Sequence, residues 1–206
     1  FCSKHHSSQT KKLMSKILDK TGRILFRLRS YTPVPLILAA LVFRQFHWLT
    51  VMCGIIILVA GEIIRIWAVG YAGGRTRTRT VSAARGLVTT GPYAYTRNPL
   101  YVGNLLVSSG VCLVSGVLWL LPILWCLFFL QYVPIISSEE QFLGRSYNQL
   151  YYNYRASVPG FWVRLSPYPS ASTHDFSLKR AFQSERRTLT AIIIIMIIMI
   201  FLLVLH

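Results

Sequence analysis

The chain has 206 residues, of which 53% are hydrophobic and 14% charged, and its 22 Lys and Arg against 6 Asp and Glu give a formal net charge of +16. Such a charge is typical of nucleic-acid-binding domains, but those domains are polar, whereas long apolar runs separate the basic clusters here. The composition therefore argues against a soluble nucleic-acid-binding protein. It favours a membrane protein with basic loops, whose partners include membrane lipids and no nucleic acid.

The N-terminal segment, residues 1–32, has the pattern of a basic amphipathic helix. Apolar residues recur at helical spacing between 13 and 28, and Lys and Arg residues fill the positions between them. Helices of this kind lie in the interface of anionic membranes. We expect an interfacial segment that leads into the first membrane span.

Apolar runs then predict the membrane spans. Residues 48–69 are 22 residues long, which corresponds to about 33 Å of helix and matches a bilayer core of about 30 Å. The expected membrane core, residues 33–165, holds two helical hairpins, in the second of which Pro134 is expected to bend the descending helix near its end. A polar, Pro- and Ser-containing connector, residues 166–190, leads to a last span that we interpret as an anchor added to this core. The five spans are 33–47, 48–70, 99–118, 120–137 and 191–206.

The distribution of basic residues predicts the orientation. Segments 1–33, 70–97 and 139–190 hold eight, five and seven Lys and Arg residues, and in the five-span topology all three lie on one side. Basic loops face the cytoplasm. We expect an integral, multi-pass membrane protein with its N-terminus in the cytoplasm. The basic run at 75–79 lies at this boundary and is interpreted as a topology anchor, with binding of lipid head groups as the alternative.

Two charged residues fall inside the second span. Glu62 and Arg65 are three positions apart, which places them on one face of a helix. Ionisable groups at membrane depth face the protein interior or a wet cavity. We interpret them as an ion pair that supports a cavity, with direct participation in chemistry as the alternative.

A polar loop precedes the third span and reads GLVTTGPYAYTRNPLYVG from Gly86 to Gly103. Taken alone, its Gly-Pro and Asn-Pro pairs indicate helix ends, and its tyrosines and Arg97 are typical of a membrane interface. After the second hairpin comes EEQFLGRSYNQLYYNYRASVPGFW, from Glu139 to Trp162. In that segment Tyr147, Tyr151 and Tyr154 share a helix face, for which core packing and cofactor stacking remain equal alternatives.

Together the two segments resemble the membrane-embedded isoprenylcysteine carboxyl methyltransferase and phospholipid N-methyltransferase superfamily. Its signature is G-x-Y-x-x-x-R-H-P-x-Y-x-G, followed by a helical hairpin, E-E, and a Tyr-rich segment that ends in V-P. The order and spacing agree over residues 86–162. The resemblance implies an all-α polytopic membrane helix bundle of about five transmembrane helices, with a cofactor pocket formed by cytoplasmic helix ends and loops.

The resemblance also implies an S-adenosylmethionine-dependent methyltransferase that acts on a lipid-like or prenylated small acceptor and uses no metal. The cofactor site would face the cytoplasm. The residues implied at the reaction centre are Arg97 and Asn98. Those implied in cofactor binding are Gly91, Tyr93, Pro99, Tyr101, Gly103, Glu139 and Glu140.

One position departs from the signature, because Asn98 stands where the family has His. An amide donates and accepts hydrogen bonds but does not titrate near neutral pH, so this position cannot act as a general base. This favours an acceptor that is already a good nucleophile, such as a carboxylate or a thiolate. An amine remains open, because a glutamate or tyrosine can also take a proton.

Two other interpretations compete with this one. A sterol-reductase-like membrane enzyme would bind NADPH in a similar C-terminal half, although such enzymes are usually much longer. A non-catalytic membrane scaffold or small transporter would bind no cofactor and would tolerate changes at Arg97 and Glu139.

Overall fold

The computed structural model describes residue 25 and residues 31–73, 86–169 and 174–204. Regular structure within these residues is entirely helical, so the predicted all-α fold class is confirmed. The predicted N-terminal amphipathic helix and the basic run at 75–79 lie outside the described residues, apart from residue 25. The described α-helices, in chain order, are α1 (Pro33–Val42), α2 (Trp48–Ala72), α3 (Pro99–Val114), α4 (Leu120–Ser157) and α5 (Leu178–Val204).

Three of these helices, α2, α4 and α5, are long and apolar enough to cross a membrane, whereas α1 and α3 are shorter apolar helices of 10 and 16 residues. The long helices also expose large apolar side chains on their outer faces. Leu49 and Ile56 on α2 are 71% and 63% exposed, and Phe201 on α5 is 61% exposed. Such faces are stable in lipid and not in water. The chain is therefore an integral membrane protein.

Helix α1 is shorter than the sequence predicts. It begins at the expected place because proline is favoured in the first turn of a helix, but it ends at Val42, before the predicted end at residue 47. The backbone N–H of Gln45 instead donates to the carbonyl oxygen of Ser115 at 2.8 Å. This bond ties the turn between α1 and α2 to the turn that follows α3.

Helices α2 and α3 pack closely and antiparallel through glycine. A methyl group on Gly54 would lie 2.8 Å from the carbonyl oxygen of Gly110, and one on Gly61 would lie 2.9 Å from that of Gly103. On both helices the two glycines are seven residues apart, which is about two turns, so they share one face. Small residues let helix backbones approach closely in membranes. This contact brings Arg65 of α2 against α3.

Helix α4 extends well beyond the predicted end of its span at residue 137 and reaches Ser157. Its backbone leaves helical geometry at Asn148, where φ is 46° and ψ is −127°, beyond Pro134. The chain then returns beneath the loop that precedes α3. There the backbone N–H groups of Arg164 and Tyr168 donate to the carbonyl oxygens of Tyr95 and Ala94, at 3.1 and 2.9 Å.

Helix α5 begins at Leu178, so residues 178–190 are helical although the sequence predicts a connector there. Their inward face is formed by Ala181 and Glu185, which are 0% and 3% exposed. A small and a charged residue produce no apolar periodicity, so the sequence pattern does not indicate a helix at residues 178–190. Further along, Met199 and Leu203 are buried in a cluster with residues of α1, α3 and α4. Helix α5 thus packs against the rest of the protein through residues near both of its ends.

Candidate functional site

A cavity of about 1600 Å³ lies between the loop before α3 and helices α1, α3, α4 and α5. One end is polar and is lined by the loop and the C-terminal half of α4. The other end is apolar and runs between the helices, where its lining includes Val107, Val111, Leu124, Phe128 and Ile192. The cavity therefore joins a polar site to an apolar channel.

Residues 86–98, which we call the motif loop, have a defined local structure. Gly91 has φ of 59°, a conformation that favours glycine, and begins a short 3₁₀ turn that ends at Ala94. Pro99 then starts α3, because its missing N–H and fixed φ suit the first turn. The backbone N–H of Arg97 donates to the carbonyl oxygen of Pro159 at 2.9 Å. The segment that follows α4 thus holds the motif loop in place.

Arg97 contacts both the Glu pair and the end of α4. Its Nε and Nη2 lie 3.0 and 2.8 Å from Oε1 of Glu140. Its Nη1 donates to the carbonyl oxygens of Arg155 and Val158, at 2.8 and 3.0 Å. These carbonyls belong to the end of α4, where such groups lack helical partners. Arg97 therefore joins the motif loop, the Glu pair and the end of α4.

Asn98 also contacts the segment after α4. Its Nδ2 donates to the carbonyl oxygen of Gly160 at 2.9 Å, and the hydroxyl of Thr96 donates to the same oxygen at 3.3 Å. The Asn98 side chain thus serves as an anchor for the loop and also lines the cavity.

Glu139, the other glutamate of the pair, contacts Tyr101 of α3. The hydroxyl of Tyr101 donates to Oε1 of Glu139 at 2.9 Å. The pKa of Tyr93 is raised above its usual range, chiefly by burial and further by the negative charge of Glu139. Tyr93 is therefore a neutral hydroxyl at physiological pH. Its backbone carbonyl accepts a hydrogen bond of 2.7 Å from the hydroxyl of Tyr154.

The structure brings most of the predicted site residues to one cavity, but not the two glycines. Gly91 packs against the ring of Tyr71, and Gly103 packs against Gly61 and the side chain of Arg65. Both glycines hold the motif loop and α3 against α2. The residues that line the cavity are Tyr93, Arg97, Asn98, Pro99, Tyr101, Glu139 and Glu140.

A second polar cluster lines the cavity wall. The expected ion pair is confirmed, with Nε of Arg65 at 3.2 Å from Oε2 of Glu62. Arg65 also donates to Glu185 of α5 and to Asn104 of α3. Sequence reasoning missed Glu185, because it lies in the stretch interpreted as a connector, and Asn104, because it is a lone polar residue inside an apolar span.

The tyrosine stripe of α4 also reaches the cavity. Tyr147, Tyr151 and Tyr154 all line it, and Tyr151 is 1% exposed. The hydroxyls of Tyr147 and Tyr151 are buried and have no hydrogen-bond partner in the described part of the protein. Buried hydroxyls normally have a partner.

Comparison with known proteins identifies the family. The phospholipid methyltransferase family matches residues 49–150, a stretch that contains nearly all of α2, the motif loop, α3 and the Glu pair. The chain belongs to the phospholipid methyltransferase and isoprenylcysteine methyltransferase superfamily. Protein-S-isoprenylcysteine O-methyltransferase A of Arabidopsis thaliana is 33% identical to this chain over 119 residues, which cover 54% of this chain and 58% of the plant protein.

Two bacterial relatives are similar over a longer stretch. The cobalt-zinc-cadmium resistance protein CzcN of Cupriavidus metallidurans is 31% identical over 147 residues, which cover 68% of this chain and 64% of that protein. The nickel-cobalt-cadmium resistance protein NccN of Alcaligenes xylosoxydans xylosoxydans is 34% identical over 151 residues, 68% of this chain and 66% of that protein. This superfamily member thus spans somewhat less than two thirds of the curated relatives it matches. No solved structure matches it. In the described residues, no group of three or more His, Cys, Asp or Glu side chains is placed to hold a metal ion.

Proposed function

We propose that the protein is an integral-membrane methyltransferase that transfers a methyl group from S-adenosylmethionine to a lipid-like or isoprenoid-bearing acceptor with a carboxylate, thiol or amine nucleophile. The observation that carries this proposal is the two-ended cavity of about 1600 Å³. Ligand pockets usually enclose about 300–1,000 Å³. The larger volume leaves room for a polar cofactor at one end and an apolar acceptor chain at the other.

The residues at the polar end fit S-adenosylmethionine. This cofactor carries an ammonium group, ribose hydroxyls and an aromatic base. Glu139 offers a carboxylate to the cationic or hydroxyl-bearing groups, and the tyrosine rings offer surfaces on which a base can stack. The hydroxyls of Tyr147 and Tyr151, which have no hydrogen-bond partner among the described residues, fit its hydrogen-bonding groups. When bound, the cofactor supplies a methyl group that is already activated by the positive charge on sulfur.

The chain's own residues would align the acceptor and exclude water, because an activated methyl group needs little further chemistry. Arg97 stabilises the site by holding Glu140 and the end of α4, so that the motif loop and the Glu pair keep a fixed distance. Asn98 anchors the loop and provides no base. The acceptor would enter sideways from the membrane between the helices at the apolar end.

We further propose that the polar end opens to the cytoplasm, where the soluble cofactor is made available. Twenty Lys and Arg residues flank the spans on that side in the five-span topology. The N-terminus would lie on the same side. Attachment of a reactive tag to the single-cysteine variants Tyr31→Cys and Val163→Cys, at positions that are 72% and 61% exposed, in intact and in opened vesicles, would test this orientation.

Calorimetric titration of the detergent-solubilised protein tests the function. The ligands are S-adenosylmethionine, S-adenosylhomocysteine and NADPH, and the variants are Glu139→Gln and Arg97→Ala. Asp175→Asn, which alters an exposed acidic residue outside the cavity, is the matched control. We expect both adenosyl compounds to bind the wild type and the control equally, and to bind the two site variants more weakly.

The outcomes separate the competing functions. Failure of the folded wild type to bind either adenosyl compound would refute the proposal. Tight NADPH binding would support the reductase. Equal binding by Glu139→Gln and the wild type would show that the role given to the Glu pair is wrong even though the enzyme class is right.

A further inference from the structure

The inference begins with the fixed orientation of Arg65, whose side chain is only 12% exposed. Each of its nitrogen atoms faces a different helix partner. Nε lies 3.2 Å from Glu62 on α2, and Nη2 donates to Glu185 on α5. Nη1 donates to Oδ1 of Asn104 on α3. The two carboxylates thus keep the guanidinium next to Asn104.

This contact determines which way the amide of Asn104 points. A guanidinium has only donors, so the oxygen of the Asn104 amide must face it, whichever way the amide is drawn. The NH2 group of Asn104 is therefore turned away from Arg65. In the part of the chain that the structure describes, this NH2 group has no hydrogen-bond partner. It is also not fully buried, so a ligand can reach it.

Asn104 lines the cavity, so its NH2 group is a fixed hydrogen-bond donor within reach of a ligand. It lies three residues, or about 4.5 Å, beyond Tyr101 along α3. Tyr101 is bound to Glu139 at the polar end, and Val107, one turn deeper, begins the apolar lining. Asn104 thus stands at the border between the two ends of the cavity.

We propose that Asn104 binds the methyl acceptor, by donating a hydrogen bond from its NH2 group to one oxygen of an acceptor carboxylate. This inference rests on the function proposed above and narrows its acceptor class. Arg65 is the positioning residue, because it acts on the acceptor only through Asn104. A neutral amide holds one carboxylate oxygen without cancelling the charge that makes the other oxygen nucleophilic.

The chemistry favours a carboxylate over an amine at this place. Transfer to a carboxylate forms an O–C bond and breaks the C–S bond of the sulfonium, whose electron pair remains on sulfur, so no proton has to leave. An amine must lose a proton, and its N–H groups need hydrogen-bond acceptors. The oxygen of Asn104 is already used by Arg65, and Asn98 cannot take a proton. Glu139 accepts from Tyr101 and is the carboxylate assigned above to the cofactor.

Calorimetric titration of the protein saturated with S-adenosylhomocysteine tests the proposal without turnover. The probe is N-acetyl-S-farnesylcysteine, a carboxylate on an apolar chain, and its carboxamide is the uncharged control ligand. The variant is Asn104→Leu, which keeps the volume and removes the donor. Ser108→Ala, one turn away and also in the cavity lining, is the matched control variant.

We expect Asn104→Leu to bind the carboxylate probe about 10- to 100-fold more weakly, the effect of a hydrogen bond to a charged group, and to bind S-adenosylhomocysteine unchanged. Ser108→Ala should match the wild type with both ligands. In methyl-transfer assays both variants of Arg65 should have a similar kcat. The KM for the carboxylate acceptor should stay closer to the wild-type value in Arg65→Lys, which keeps a donor next to Asn104, than in Arg65→Gln. Such a split would not follow from a purely structural role.

Two results would overturn the inference and leave the proposed function standing. One is equal binding of the probe by Asn104→Leu and the wild type while both bind S-adenosylhomocysteine. The other is methyl transfer by the wild type to phosphatidylethanolamine, an amine lipid, and not to the carboxylate probe. Failure of the wild type to bind S-adenosylhomocysteine would overturn both proposals.

Discussion

Replacing Arg65 with Met is expected to destabilise the protein strongly. The side chains of Glu62 and Glu185 are only 10% and 3% exposed, and both have Arg65 as a counter-ion. Removing one member of a buried ion pair costs about 3–5 kcal/mol, because the remaining charge is left without compensation. For a chain of this size, 1 kcal/mol shifts the unfolding midpoint by about 2–4 °C, which gives a decrease of about 6–20 °C.

The measurement is thermal unfolding in one fixed detergent, followed by intrinsic fluorescence. Arg155→Met is the matched control, because Arg155 is 52% exposed and lies 3.6 Å from Glu140. Exposed ion pairs contribute about 0–1 kcal/mol, so this variant should unfold within about 4 °C of the wild type. If the two variants unfolded at the same temperature, the Arg65 cluster would not hold the helices together and the reasoning would be refuted.

Three further predictions follow from the packing and the site. Gly110→Val should prevent close contact of α2 and α3 and cost about 1–3 kcal/mol, which lowers the unfolding midpoint by about 2–12 °C. Ile63→Val, on the exposed face of α2, should change the midpoint little, and equal midpoints for the two variants would contradict the glycine contact. Tyr101→Phe should weaken binding of S-adenosylhomocysteine about 2- to 10-fold by releasing its carboxylate partner, and Tyr152→Phe, at an exposed tyrosine, should not; calorimetry distinguishes them. Removal of the chain from Leu178 onward should abolish cofactor binding in titrations of the purified protein, because α5 is part of the bundle; a truncated protein that binds normally would show that α5 is only an anchor.

The sequence predicted the elements whose signals are local. The long apolar run of α2 and the Gly-Pro and Asn-Pro pairs of the motif loop are signals within short stretches of chain. The helix α2, the start of α3 at Pro99 and the loop before it were therefore predicted correctly. The ion pair of Glu62 with Arg65 was also predictable, because both residues lie on one helix at a spacing that brings them together.

Contacts between distant segments could not be predicted in the same way. Glu185 lies 120 residues from Arg65, in a helix whose buried face has no apolar pattern, so nothing local indicated either the helix or the contact. The roles of Gly91 and Gly103 were assigned to the cofactor pocket, but only the packed structure shows that they contact α2. The contacts of Arg97 likewise could not be predicted, because they depend on where the end of α4 and the segment after it lie in the folded protein.

The sequence by itself determined the membrane character of the protein, its helical class and the order of the motif segments, because hydrophobicity, helix ends and residue spacing are properties of short stretches of chain. The tertiary structure decided which side chains meet. In the folded protein α5 lies against the cavity, Arg97 contacts Glu140 and the end of α4, and Arg65 orients Asn104. These contacts join segments far apart in the chain, and only the packing of whole helices determines the distances between them.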